Sequence, residues 1–219
     1  MQNFLLTNTR RAFLSCVCLL VVSHAHAEDD TGSAGGNYEV TISGHTMPVD
    51  LGKEYTVKTP GGESITVMVK QREVLTHDEA LFSLRYPSSL NLSATTAVDK
   101  EISQVIAISG LGNGFVLQAY TSMNPALLVD AMLDESIKQD LAFGFKLDKK
   151  PFSRELSSGQ TMTGVEATLT YQDQTKHITV SAYGKRDQGL LLITILHKDT
   201  AATDGAILDL LWSSLRVKI

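Results

Sequence analysis

The side chains able to carry chemistry beyond residue 27 are few and scattered. His45, His77, His177 and His197 are the histidines there, and no two of them stand at H-x-x-H or H-E-x-x-H spacing. His77-Asp78-Glu79 sets an imidazole beside two carboxylates, which are donor types for zinc or calcium. The plainer reading of that trio is a solvated connector. His177 falls on the polar face of a strand and His197 just past a strand end, both as surface residues. Serine hydrolysis needs a nucleophile on a tight turn with a base in reach. The nearest fragment, Ile108-Ser109-Gly110, lacks the G-x-S-x-G frame, and no S-x-x-K is present. Gly110, Gly112 and Gly114 suggest a phosphate loop, but that chemistry needs a helix N-terminus after the glycines, and a strand follows here. Asp130 and Asp134 stand one helical turn apart, as acid–base carboxylates can, on what reads as a solvated face. Met123, Met132 and Trp212 read as core. No catalytic residue, metal site or cofactor is assigned.

The elements that would position these groups follow from periodicity. Tyr38 to Arg72 reads as a small β-unit, with Val40 and Ile42, then Tyr55 and Val57, then Ile65, Val67 and Val69 alternating with polar residues. Pro60-Gly61-Gly62 is its turn signal and Glu54 to Lys70 its best hairpin. Glu73 to Ala80 reads as a polar connector. Leu81 to Pro87 is a strand ending at proline. Ile102 to Ser109 and Phe115 to Thr121 form a hairpin through the glycine loop. A helix over about Pro125 to Leu141 is capped by Asn124, with proline at its first position, and buries Val129, Met132, Leu133, Ser136 and Ile137. Three meandering strands follow: Val165 to Tyr171, Ile178 to Ala182, and Leu190 to Leu196. Their turns are read at Gln172 to Thr175 and Gly184 to Gly189. The third strand, apolar throughout, is expected at the sheet centre. A last helix, about Thr203 to Leu215, buries Leu208, Leu211, Trp212 and Leu215. The expected fold class is α+β, a mostly antiparallel sheet with packed helices.

The chain opens as an export signal does. Arg10 and Arg11 precede an apolar run, Ala12 to Val22, and Ala25 and Ala27 form an A-x-A site. Cleavage is expected after Ala27, giving a periplasmic or secreted protein. The run is too short for a spanning helix, so the mature chain is expected to have no transmembrane segment. Thr9 to Leu14 also allows the twin-arginine route, and Cys16 or Cys18 a lipoprotein. Both cysteines precede residue 27, so no disulfide is expected in the mature chain. The 17 bases and 24 acids after residue 27 leave a formal charge of −7. An acidic chain without basic clusters argues against nucleic acid and anionic membrane partners. The expected organisation is a signal at 1–27, a polar tether at 28–37, the β-unit and connector at 38–80, and an α+β domain at 81–219.

From Phe82-Ser83-Leu84-Arg85-Tyr86-Pro87, through hairpin, helix and meander, to the closing helix Ile207 to Val217, the order of elements resembles the PsbP-like superfamily. That group includes the extrinsic photosystem subunit, a nuclear-transport factor of the same fold and DcrB-type bacterial envelope proteins. The resemblance covers about 81–219 and implies an α-β-α sandwich that serves as a binding or assembly partner. It brings no shared catalytic motif and no functional residues.

The function expected is that of an exported, non-enzymatic envelope protein that binds another protein in an assembly, accessory or immunity-type role. Tyr55, Pro60, Gly61 and Gly62 are the candidate partner-binding residues, on the exposed strands of the β-unit. A small-molecule or lipid carrier is the alternative, and a hydrolase with dispersed residues the next.

Overall fold

The computed structural model describes residues 38–59, 61–96 and 101–219. The expected signal and tether lie outside the described residues, as does Pro60. The chain divides into two compact units at Val69–Lys70.

The first unit holds two ribbons. β1 (Tyr38–Ile42) pairs with β2 (His45–Val49), and β3 (Glu54–Lys58) pairs with β4 (Ser64–Met68), each antiparallel. The hairpin read over Glu54 to Lys70 is present. Its tip is closed by Gly62 N–H donating to Thr59 O at 2.9 Å and Thr59 N–H donating to Glu63 O at 2.8 Å.

The second unit begins with a correction. Glu73 to Ala80, expected as a connector, contains β5 (Val74–Asp78), which pairs with β6 (Phe82–Pro87). Its residues alternate exposed and half-buried, with Leu75 and His77 inward. The pattern is a strand's, hidden by the polar types that occupy it. β7 (Leu92–Thr96), β8 (Ile102–Ile108) and β9 (Gly114–Tyr120) follow, then helix α1 (Val129–Phe143). Next come β10 (Lys146–Glu155), β11 (Thr161–Tyr171), β12 (Gln174–Lys185), β13 (Gln188–His197), helix α2 (Ala201–Ser214) and β14 (Arg216–Val217). One sheet runs β10-β11-β12-β13-β9-β8-β7, antiparallel throughout, and a smaller one runs β14-β6-β5.

Alternation in β13 divides the core. Leu190 and Leu192 join Phe82, Leu84, Phe115, Leu117, Leu211 and Trp212 on one side. Leu191 and Ile193 join Leu133, Ile137, Leu169 and Val180 on the other. Thus α2 and the small sheet lie over one face, and α1 over the other. β13 sits between β12 and β9, the central place expected for a strand whose middle is almost wholly apolar, with Thr194 its one buried polar side chain. Trp212 stacks near Phe152, ring centroids 5.5 Å apart, with the Arg154 guanidinium 4.9 Å from its ring.

The helix expected from Pro125 opens as a 3-10 turn, Pro125–Leu128, where Asn124 Oδ1 accepts from Ala126 N–H at 3.0 Å. It ends at Gly144, whose φ of 107° closes a Schellman cap: its N–H bonds Leu141 O, and Phe145 N–H bonds Asp140 O. The turn expected over Gly184 to Gly189 is present in a narrower form: the chain reverses at Arg186-Asp187, and the two glycines are a cross-strand pair at the adjoining ends of β12 and β13. A Cβ on Gly184 would lie 1.8 Å from Asn124 Oδ1, and one on Gly189 2.6 Å from Pro125 Cδ. Both glycines clear space for the start of the helix against the sheet.

Candidate functional site

The most concentrated polar chemistry lies where the β8–β9 turn meets the start of α2. Asp204, buried in the first turn of α2, accepts from Ser109 Oγ at 2.5 Å and from Asn113 Nδ2 at 2.8 Å. Asn113, fully buried, also donates to Thr200 Oγ1 at 2.7 Å, and its Oδ1 accepts from His197 N–H at 2.7 Å. An acid suits the positive end of a helix. The hydrogen bonds from Ser109 and Asn113 hold the Asp204 carboxyl below its ordinary range. Burial, then the Lys176 charge, holds the His197 imidazole below its own.

Serine, aspartate and histidine together suggest acyl transfer, but the connections are wrong for it. Ser109 gives its proton to the carboxylate, whereas a nucleophilic serine needs an imidazole between the two. With every polar atom of the Asn113 amide bonded, the arrangement is a latch. It ties the β8–β9 turn and the end of β13 to α2. Motif spacing raises Ser109 only as an incomplete nucleophile fragment and does not single out Asn113, Thr200 or Asp204. An acid in a helix's first turn and an asparagine in a glycine loop were the available signals.

The other singled-out residues lie apart from one another. His77 is on β5, its Nε2 3.1 Å from Glu79 Oε1, and His177 Nδ1 is 3.3 Å from Thr168 Oγ1. Asp134 accepts from Lys149 Nζ at 3.0 Å on the exposed side of α1, away from the buried Leu133 and Ile137. Among the described residues, no three His, Cys, Asp or Glu side chains converge as a metal site, and no helix is long and apolar enough to cross a membrane. In the first unit, the Tyr55 hydroxyl accepts from Asp50 N–H at 2.9 Å and donates to Asp50 Oδ2 at 3.2 Å. Lys53 Nζ reaches the same carboxylate at 2.7 Å, so Tyr55 braces the β2–β3 turn. Gly61 and Gly62 sit exposed at the hairpin tip.

The two edges of the large sheet differ in kind. A sheet edge presents backbone N–H and C=O groups that another chain can pair with, and proteins block this with lysine, proline or charge. β10 reads KLDKKPFSRE, with Lys146, Lys149, Lys150 and Pro151 exposed on it. Lys149 and Lys150 are held by Asp134 and Glu166 at 3.0 and 2.9 Å. β7 reads LSATT, with no charge and no proline, and four of its five residues are exposed. Among the described residues, β8 is its sole strand neighbour.

The sheet face beside β7 is also open in character. α1 packs over β11 and β12, and the strands continue past it. There Ser93 and Thr95 stand in line with Ile106 and Gln104 on β8 and with Val116 and Gln118 on β9. Gln118 Nε2 donates to Gln104 Oε1 at 2.7 Å, and Tyr120 Oη donates to Gln118 Oε1 at 2.7 Å. These four β8 and β9 side chains are only half-buried.

No family model matches the chain, and no curated protein matches it. Among solved structures, it is similar to the solution structure of cyanobacterial PsbP (CyanoP) from Synechocystis sp. PCC 6803. The identity is 12% and the TM-score 0.45, over 66% of this chain and 92% of that one. It is also similar to a crystal structure from Bacteroides thetaiotaomicron VPI-5482, at 13% identity and a TM-score of 0.28, over 67% of this chain and 48% of that one. Likenesses this distant say nothing of activity or partner.

Proposed function

We propose that this is an exported, non-enzymatic protein of the cell envelope, with a PsbP-like α-β-α sandwich, that binds a protein partner by accepting an extended strand along β7. The observation that carries the reading is the contrast between the blocked edge at β10 and the unblocked edge at β7. Strand addition draws affinity from main-chain hydrogen bonds and specificity from alternate side chains. The exposed Ser93 and Thr95 would flank an added strand on one face, with the half-buried glutamine and isoleucine positions of β8 beyond them. Export rests on the arginine, apolar and A-x-A layout of residues 1–27. The β3–β4 ribbon with Gly61 and Gly62 at its tip is a second place for a partner, favoured by its exposure.

A photo-crosslinking side chain at Thr95, at Ser153 on β10 and at Gly62 tests the reading in native envelope fractions. A protein crosslinked from Thr95 and not from Ser153 supports it. Crosslinks from Gly62 alone move the contact to the β3–β4 ribbon, and crosslinks from none of the three sink the proposal.

A further inference from the structure

The outer face of the small sheet gathers cationic and hydroxyl groups around one cleft. Thr76 on β5, Ser83 and Arg85 on β6, Ser213 and Ser214 at the end of α2, and Arg216 on β14 line a cavity of ≈ 400 Å³. Strand register sets the pattern. Arg216 stands opposite Ser83, and Arg85 opposite Thr76. Ser83 and Arg85, two residues apart, share a face, because Phe82 and Leu84 between and before them point into the core. The two arginines are therefore diagonal neighbours on adjacent strands, a spacing at which long side chains reach each other and like charges repel.

Donors in this cleft are left unspent. No hydrogen bond or ion pair within the described residues engages the Arg85 or Arg216 guanidinium, or the Ser83 or Thr76 hydroxyl. The acid on this face, Asp78, is ion-paired with Lys218. The end of α2 is already furnished with donors. Ser213 and Ser214 Oγ donate to Leu210 O at 3.1 and 2.6 Å, and Leu215 N–H donates to Leu211 O at 2.8 Å. The arginines are thus not needed to satisfy those carbonyls.

We infer that this cleft is an anion site that takes a phosphate group. A guanidinium offers a planar fork of N–H donors that matches oxyanions two at a time. Two forks from different strands, with hydroxyls beside them, suit the several oxygens of a tetrahedral phosphate better than the two of a planar carboxylate. Bound anion also relieves the repulsion between Arg85 and Arg216, so it stabilises the fold by linkage. The mostly polar lining does not suit an acyl chain. Free phosphate, a phosphate ester and a phosphomonoester headgroup share this chemistry.

Inorganic phosphate titrated into the chain at low salt is the test, read by calorimetry and backbone amide shifts. The expected result is saturable binding that moves the Ser83, Arg85 and Arg216 amides together. Arg85→Gln and Arg216→Gln are each expected to weaken it by roughly tenfold, the loss typical of one charge-assisted contact, and Lys185→Gln to leave it unchanged. Both arginines are exposed and repel each other, so the variants are expected to keep the native melting temperature without phosphate or raise it slightly. Non-saturating shifts, binding unchanged in the double variant, or acetate binding as tightly as phosphate would each overturn the inference. Once the ion is shown to bind, co-sedimentation with vesicles bearing phosphatidic acid, lost in the double variant, assigns a membrane headgroup. Its absence assigns a free phosphate or ester.

Discussion

The two edges of the large sheet are built from the same backbone and differ in what their side chains do to it. β10 sets Pro151, which has no N–H to offer, among three lysines whose charges would have to be buried by any added strand. β7 carries only alanine, serine, threonine and leucine. Barriers to edge-to-edge pairing thus stand on one edge and, among the described residues, are lacking on the strand at the other. The unblocked edge also belongs to the half of the sheet that the latch secures.

The largest effect should come from breaking that latch. Asn113→Ala leaves Asp204 and the His197 N–H short of partners in a buried setting. It is expected to destabilise the chain by about 2–3 kcal/mol in urea unfolding, with faster hydrogen exchange along β8 and β9. Wild-type loss with exchange unchanged at β8 and β9 would mean that the latch does not serve this half of the sheet.

Acid should weaken the same region in two stages. The His197 pKa is lowered in the folded state from an unfolded value near 6.5, so the unfolded chain takes up its proton first. Stability is therefore full above that value and falls as pH drops from 6.5 toward the folded pKa. The Asp204 pKa is also lowered, so its contribution is present above 3.8 and lost as pH falls through the folded value. His197→Gln is expected to remove the first stage and leave the second. Unfolding curves across this range check both.

Exchanging the edges sharpens the comparison at smaller cost. Replacing Lys149, Lys150 and Pro151 by threonine gives β10 the character of β7. The loss of the two exposed ion pairs is expected to cost about 1 kcal/mol or less, while the chain gains concentration-dependent association by light scattering. A monomer at every concentration would show that edge chemistry does not govern pairing here. Smallest of all is the stability effect of Ser93→Lys with Thr95→Lys. Both side chains are exposed, so a change within about 0.5 kcal/mol is expected in thermal unfolding.

The elements legible in the sequence were those whose apolar pattern dominates. β13, β8, β9 and both helices are present, and Leu208, Leu211, Trp212 and Leu215 are buried as the helical spacing required. The strands that escaped notice sit at sheet edges, where burial leaves little pattern. β5 carries His77 and Asp78, β7 is short and polar, and β10 is charged. Edges are where function is proposed here, so the signal was weakest where it mattered. The turn between Gly184 and Gly189 was legible, but the close approach of Asn124 and Pro125 to those glycines was not, because a glycine marks a turn and a close approach equally well. The latch joins residues 84 to 95 positions apart, and the cleft brings Arg85 to Ser214, 129 positions away, which no local spacing can reveal.

The most direct test is quantitative capture from native envelope fractions with three forms of the chain: wild type, the Ser93→Lys/Thr95→Lys variant, and a control with lysine at Ser153 on the already blocked edge. The account predicts a stoichiometric protein partner retained by wild type and control and lost from the β7 variant. Equal recovery of that partner by all three would contradict it.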